Sequence, residues 1–144
     1  GNMYKIIKSF FVFLTAFCCW ACTDKAPEYP DLEGYWKQER IDDGNTGTQT
    51  VHERVYWAFQ LGVSEVRNIQ TGEDFLCRYE YNEGASSLRM YDFRMKGNQS
   101  QKVNVGKLSL LGIPSDDVIY EVVKLDGDRM LLRADDITLH FRKF

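Results

Sequence analysis

From Leu32 to Phe144 the sequence is built from short runs in which apolar and polar residues alternate with a period of two. Most of the runs end in a cluster of turn-forming residues such as Gly, Asn, Asp or Thr. Such alternation puts successive side chains on opposite faces of an extended chain, so each run has one face to bury and one to leave in water. Strands are predicted over Leu32–Ile41, His52–Leu61, Val63–Gln70, Asp74–Tyr81, Ser87–Met95, Lys102–Leu110, Val118–Leu125, Arg129–Ala134 and Ile137–Phe144. Val55, Trp57, Phe59 and Leu61 share a face, as do Phe75, Cys77, Tyr79 and Tyr81. In the last run Ile137, Leu139 and Phe141 face inward, and Thr138, His140 and Arg142 face out. Asp42–Gly47 reads as a polar loop, Leu111–Pro114 as a loop or one helical turn, and Asp126-Gly127 as a type I′ hairpin turn. No helix is predicted in this part of the chain.

About eight or nine strands in a meander leave two open edges unless the sheet closes on itself. The expected fold class is therefore all-β, an eight- to nine-stranded antiparallel up-and-down barrel. Such a barrel is filled by its own side chains or holds one small ligand.

The chain before Leu32 has another texture. Lys5 and Lys8 precede an almost wholly apolar run, Phe10–Ala21. That run is shorter than the about 20 residues a membrane span needs, and the pattern predicts a signal peptide over residues 1–21. Ala21-Cys22 at its end resembles the lipobox of bacterial lipoproteins, with Cys18 a second candidate. The resemblance implies that the Cys22 thiol carries diacylglycerol, that the chain is cut before it, and that its amino group is acylated. Cys19 stands where lipoboxes usually carry Leu, and Trp20 follows it. Thr23, next after the lipidated position, resembles the pattern of lipoproteins released to the outer membrane. Residues 22–31, with Pro27 and Pro30, read as a tether, and residues 32–144 as the barrel domain. The expected location is the bacterial cell envelope, with the membrane as partner through Cys22.

Net charge is −3 and no basic run appears, which argues against nucleic acid as a partner. Cys18, Cys19 and Cys22 are clustered and only Cys77 lies in the barrel region, which fits neither a disulfide scaffold nor a zinc site. His52 and His140 both fall on predicted outward faces. Asp42-Asp43, Asp116-Asp117, Asp126-x-Asp128 and Asp135-Asp136 fit turn chemistry better than calcium loops or a glycosidase pair. No enzyme activity, cofactor or metal is expected.

Gly34 permits a tight bend, and Trp36, two residues on, points to the same side and can plug one end of a barrel. Leu32-x-Gly34-x-Trp36, the meander, and the tail Tyr120–Leu132 followed by Leu139-His140-Phe141-Arg142 resemble the lipocalin family, and more closely small bacterial lipocalin-like lipoproteins. The resemblance implies a cation–π contact at the barrel floor between Trp36 and an Arg near the end of the barrel, Arg142 or alternatively Arg133. Trp57, Phe59, Tyr79, Tyr81, Phe93 and Tyr120 either line an internal cavity for a small hydrophobic or amphipathic ligand or fill the barrel. Two functions follow: a lipid-anchored binding protein, or a non-enzymatic interaction module with a solid core.

Overall fold

The computed structural model describes residues 28–144. The predicted signal peptide, Cys22 and the first part of the tether lie outside the described residues. Strands β1 (Gly34–Asp43), β2 (Thr48–Thr50), β3 (Val55–Gln60), β4 (Val63–Asn68), β5 (Glu73–Asn82), β6 (Ser87–Met95) and β7 (Asn98–Lys102) precede one short helix, α1 (Val105–Ser109). Strands β8 (Asp117–Leu125), β9 (Arg129–Ala134) and β10 (Ile137–Lys143) follow it.

The sheet order is β10-β9-β8-β6-β5-β4-β3-β1, and β10 pairs with β1, so eight antiparallel strands form a closed barrel. Closure removes both edges. Strand β2 extends the pairing along one end of β1, and β7 pairs with β6. The seam matches Trp36 with Lys143, Gln38 with Phe141 and Ile41 with Leu139. A register shift between Gln38 and Arg40 resets the alternation, so Trp36, Gln38 and Ile41 all face inward.

The expected Lys102–Leu110 strand is not formed. The chain pairs as β7 from Asn98, where a turn was expected, and then makes α1. Asn104 caps the helix, its side chain accepting from the Gly106 N–H at 2.6 Å. The reason is burial: α1 and the loop after it drive Leu108, Leu111 and Ile113 into the barrel mouth. Gly112 sits at φ 82°, and a β-carbon there would collide with the Leu139 side chain.

The Asp126-Gly127 turn also differs from type I′. Only Gly127 has positive φ, while the Asp126 carboxylate accepts from the N–H groups of Asp128 and Arg129. The hairpin with two consecutive positive φ values is Leu61-Gly62, at 50° and 83°.

Candidate functional site

The barrel floor is built on Trp36. Its ring is fully buried, and its Nε1–H donates to Leu32 O at 2.7 Å. The cation over the ring is Lys143, whose Nζ lies 4.5 Å from the ring centroid. This corrects the expected Arg142. Side chains alternate along β10, so Phe141 and Lys143 point in while Arg142 points out and pairs with Glu39 at 3.4 Å. Arg133 is also on the outside, 2.9 Å from Glu121. Lys143 Nζ donates to Glu33 O at 2.6 Å, and burial pulls its pKa below the ordinary lysine value. Gly34 leaves the space this arrangement needs: a β-carbon there would lie 3.0 Å from Lys143 Cε.

Above the floor, Trp57 packs edge-on against Phe141 with centroids 4.8 Å apart, and stands 6.3 Å from Tyr120 and 6.4 Å from Phe59. Phe59 in turn meets Tyr79 at 5.2 Å. Phe93 is buried in the same core, whereas Tyr81 is only partly buried and packs edge-on against Tyr29 at 4.9 Å. A chamber wide enough for water would leave part of its lining exposed, yet Trp57 and Tyr120 are both 0 % exposed and Phe59 is 1 %. The rings fill the barrel in this conformation. Tyr120 OH donates to Gly112 O at 2.7 Å, which ties the plugging loop to the rings below it. Cys77 is buried, and burial pushes its thiol up to about 12, too high to supply a thiolate near neutral pH.

The two histidines do not converge. His140 lies on the outer face, 2.8 Å from Asp42 and 3.2 Å from Arg40. Asp42 is drawn below the ordinary carboxylate value: burial works against this, but hydrogen bonds from Arg40 and His140 outweigh it. His52 is not on an outward strand face as expected, because β3 begins only at Val55 and the strand alternation does not extend back to residue 52. It is half-buried at the barrel mouth, its Nδ1 2.8 Å from Gln38 Oε1. Gln38 is fully buried and gives its Nε2–H to Leu111 O at 2.9 Å. Its Oε1 can therefore only accept, which fixes the proton on His52 Nδ1 and leaves Nε2 as an acceptor. Burial lowers the His52 pKa and favours this neutral form.

His52 opens on a cleft of about 450 Å³ at the mouth. Ile41, Leu110, Leu111 and Ile137 give it an apolar base, and Thr48, Thr50 and Gln70 are among its polar walls. Lys107 on α1 pairs with Glu73 on β5 at 3.3 Å beside it. A second cleft, of about 380 Å³, runs along the outer face of β1, β3 and β4, between Tyr35, Tyr56 and Phe144 on one side and Glu65, Arg67 and Lys96 on the other. Next to it Asp74 is pushed up to about 6 by burial and by the neighbouring Glu65 carboxyl. A proton held on Asp74 lets it donate to Glu65. Asp74 Oδ1 is itself buried with no hydrogen-bond partner.

A lipocalin-like domain family model matches residues 15–144. The chain belongs to the lipocalin-like family. A lipocalin-like protein from Bacteroides uniformis superposes with a TM-score of 0.62 at 19% identity, over 79% of this chain and 99% of that one. An uncharacterized protein from Bacteroides eggerthii superposes with a TM-score of 0.61 at 18% identity, over 78% and 99%. At these identities the likeness is one of fold. No curated protein matches the sequence.

Within this lipocalin-like barrel, sequence reasoning singled out the inward rings but missed the mouth cleft and the Glu65–Asp74 pair. The cleft draws on β1, β2, the β4–β5 turn, α1 and β10, which only the closed topology brings together. Glu65 and Asp74 stand on neighbouring strands, where Asp74 pairs with Arg67. The Thr71-Gly72-Glu73 turn between the two strands was the available signal for that pairing.

Proposed function

We propose that this protein is a lipid-anchored binding protein of the bacterial cell envelope that takes a small amphipathic ligand at the barrel mouth. The observation that carries this reading is the cleft of about 450 Å³, whose apolar base lies beneath polar walls. That composition suits a ligand with one greasy and one hydrogen-bonding part. His52 Nε2 supplies an acceptor held neutral by its surroundings. The filled interior directs the ligand to the mouth rather than to the barrel axis. Membership of the lipocalin-like family supports a small-ligand role. The anchor rests on the Cys22 lipobox, with residues 1–21 as the signal peptide and residues 22–31 as the tether.

The test is native mass spectrometry of the purified full chain, followed by titration with the amphipathic dye 1-anilinonaphthalene-8-sulfonate. Dye binding that Leu110→Arg abolishes supports the mouth site, because Leu110 is exposed in the cleft and its replacement spares the core. Unchanged dye binding in Leu110→Arg removes the proposal. For the anchor, Cys22→Ala is expected to fold but take up no lipid label. Undiminished labelling would show that another residue carries the lipid.

The same filled interior favours a second reading, an interaction module that engages a protein through its outer face. The cleft beside Tyr35, Tyr56 and Phe144 is its best surface.

A further inference from the structure

The polypeptide enters the barrel at the floor. The backbone N–H groups of Glu28 and Tyr29 donate to the Glu33 carboxylate at 2.9 and 3.1 Å, and Tyr29 packs on Tyr81. Glu28 and Leu61 line the same shallow depression, so the tether leaves the domain beside the β3–β4 turn. Residues 22–28 reach at most about 21 Å when fully extended. An anchor at Cys22 therefore holds this end of the barrel near the bilayer, and the mouth at the opposite end of the strands away from it.

Exposed large apolar side chains occur at both ends of the barrel, and four of them lie at this end of the outer face. Leu61 is 52 % exposed, Val63 50 %, Tyr35 62 % and Phe144 77 %. Tyr35 pairs with Ala58, and Val63 with Gln60, on adjoining strands. The Phe144 N–H bonds to Tyr35 O at 2.9 Å, and its ring packs on Tyr56 at 5.0 Å. Leu61 holds φ 50° at the turn tip, a conformation that Asn or Gly adopts more readily. The two-residue turn with Gly62 sets the positive φ, but neither that turn nor core packing calls for an exposed leucine here.

We infer that Leu61, Val63, Tyr35 and Phe144 form a bilayer-contacting rim, on which the anchored barrel rests floor-down with its mouth facing away from the lipid. Aromatic and aliphatic side chains at a tethered end match the chemistry of the lipid–water interface. The lipid surface that fits this rim is zwitterionic rather than anionic, because Glu28, Glu33 and Glu80 flank Leu61 while Arg78, opposite Val63, is the cation on the neighbouring strand. The inference rests on the proposed anchor at Cys22.

The experiment uses the full lipidated chain in phosphatidylcholine vesicles, carrying a fluorescent label at Leu61→Cys or, at the mouth end, Val51→Cys. A nitroxide-bearing lipid should quench the Leu61→Cys label several-fold more than the Val51→Cys label, and aqueous iodide the reverse. Adding anionic phosphatidylglycerol should weaken the lipid quenching; strengthening would overturn the lipid class. Equal iodide quenching of both labels on protein that co-floats with vesicles overturns the rim and leaves the anchor standing. Protein that fails to float removes the anchor and the orientation with it. Iodide shielding of Leu61→Cys that persists in detergent without vesicles would assign the rim to a second copy of the chain and overturn the lipid contact. Leu61→Asn, which relieves the backbone conformation, keeps the test independent of labelling: amide exchange at the β3–β4 turn should be slowed by vesicles in the wild type and not in this variant. Equal slowing in both would count against the rim.

Discussion

Lys143 Nζ sits 4.5 Å above the Trp36 ring while donating to Glu33 O at 2.6 Å, so one cation joins the final strand, the first strand and the segment that precedes it. Lys143→Ala should lower stability by about 1–2 kcal/mol, the range for a cation–π contact sheltered from water. Arg142→Ala removes an exposed ion pair and should change stability by less than about 0.5 kcal/mol. Urea unfolding of the two variants side by side checks the assignment; a larger loss in Arg142→Ala would reverse it.

Gly34 and Lys143 should be coupled. Gly34 has φ 123°, and an added β-carbon would meet only Lys143 side-chain atoms. Gly34→Ala should cost more than about 1 kcal/mol in the wild type. In the Lys143→Ala background the steric part disappears and the backbone part remains. A double-mutant cycle with an interaction energy near zero would show that the two positions do not press on each other.

Gln38 is the tie between the barrel wall and the mouth plug. Gln38→Leu leaves Leu111 O and His52 Nδ1–H without their partners, at a cost of about 1–3 kcal/mol for a buried group. The loss should be local. Amide hydrogen exchange across Leu108–Ile113 should accelerate while the β3–β4 amides keep their protection, and unaltered plug exchange would place the tie elsewhere.

His52 makes stability depend on pH in one direction. Burial lowers its pKa in the folded chain below the ordinary 6.5, so the unfolded chain binds the proton more readily. Stability is therefore lost as pH falls below about 6.5, until the folded-state group also titrates. His52→Asn should flatten that part of the curve. Nitrogen-15 spectra of the imidazole should show the Nδ1–H form at neutral pH.

Asp74 works in the opposite sense. Its pKa is raised from 3.8 to about 6, so the folded chain holds the proton more tightly and its contribution is lost as pH rises through that window. Asp74→Asn should remove this slope and raise the Tm at pH 7. A variant that melts below wild type at pH 7 would mean that the ionised carboxylate is held favourably by Lys96, 3.7 Å away, and by Arg67, 3.9 Å away.

The strand pattern was readable because most inward positions follow strict alternation, as Val55, Trp57 and Phe59 do. The same rule, applied to the last strand, already turns Arg142 outward and Lys143 inward, and the family expectation of an arginine overrode it. Alternation failed where the chain leaves the pleat. Val103, Val105 and Lys107 read as a strand, but Asn104 starts a helix and spacings of three and two residues bring Leu108, Leu111 and Ile113 inward instead. His52 was misread because its strand begins later than the apolar pattern suggests. The mouth cleft was illegible for a different reason: its walls come from segments far apart in sequence, and no local pattern encodes their meeting.

The pairing of β1 with β10 also shapes how the molecule forms. The two partners are separated by most of the domain, so this ladder has a large loop-closure entropy and cannot be nucleated by neighbours in sequence. Until it zips, the remaining hairpins form a curled ribbon with two sticky margins, open to capture by another strand. The slowest phase of refolding should then track substitutions along this ladder, and a chain cut short before Ile137 should aggregate rather than persist as a smaller barrel.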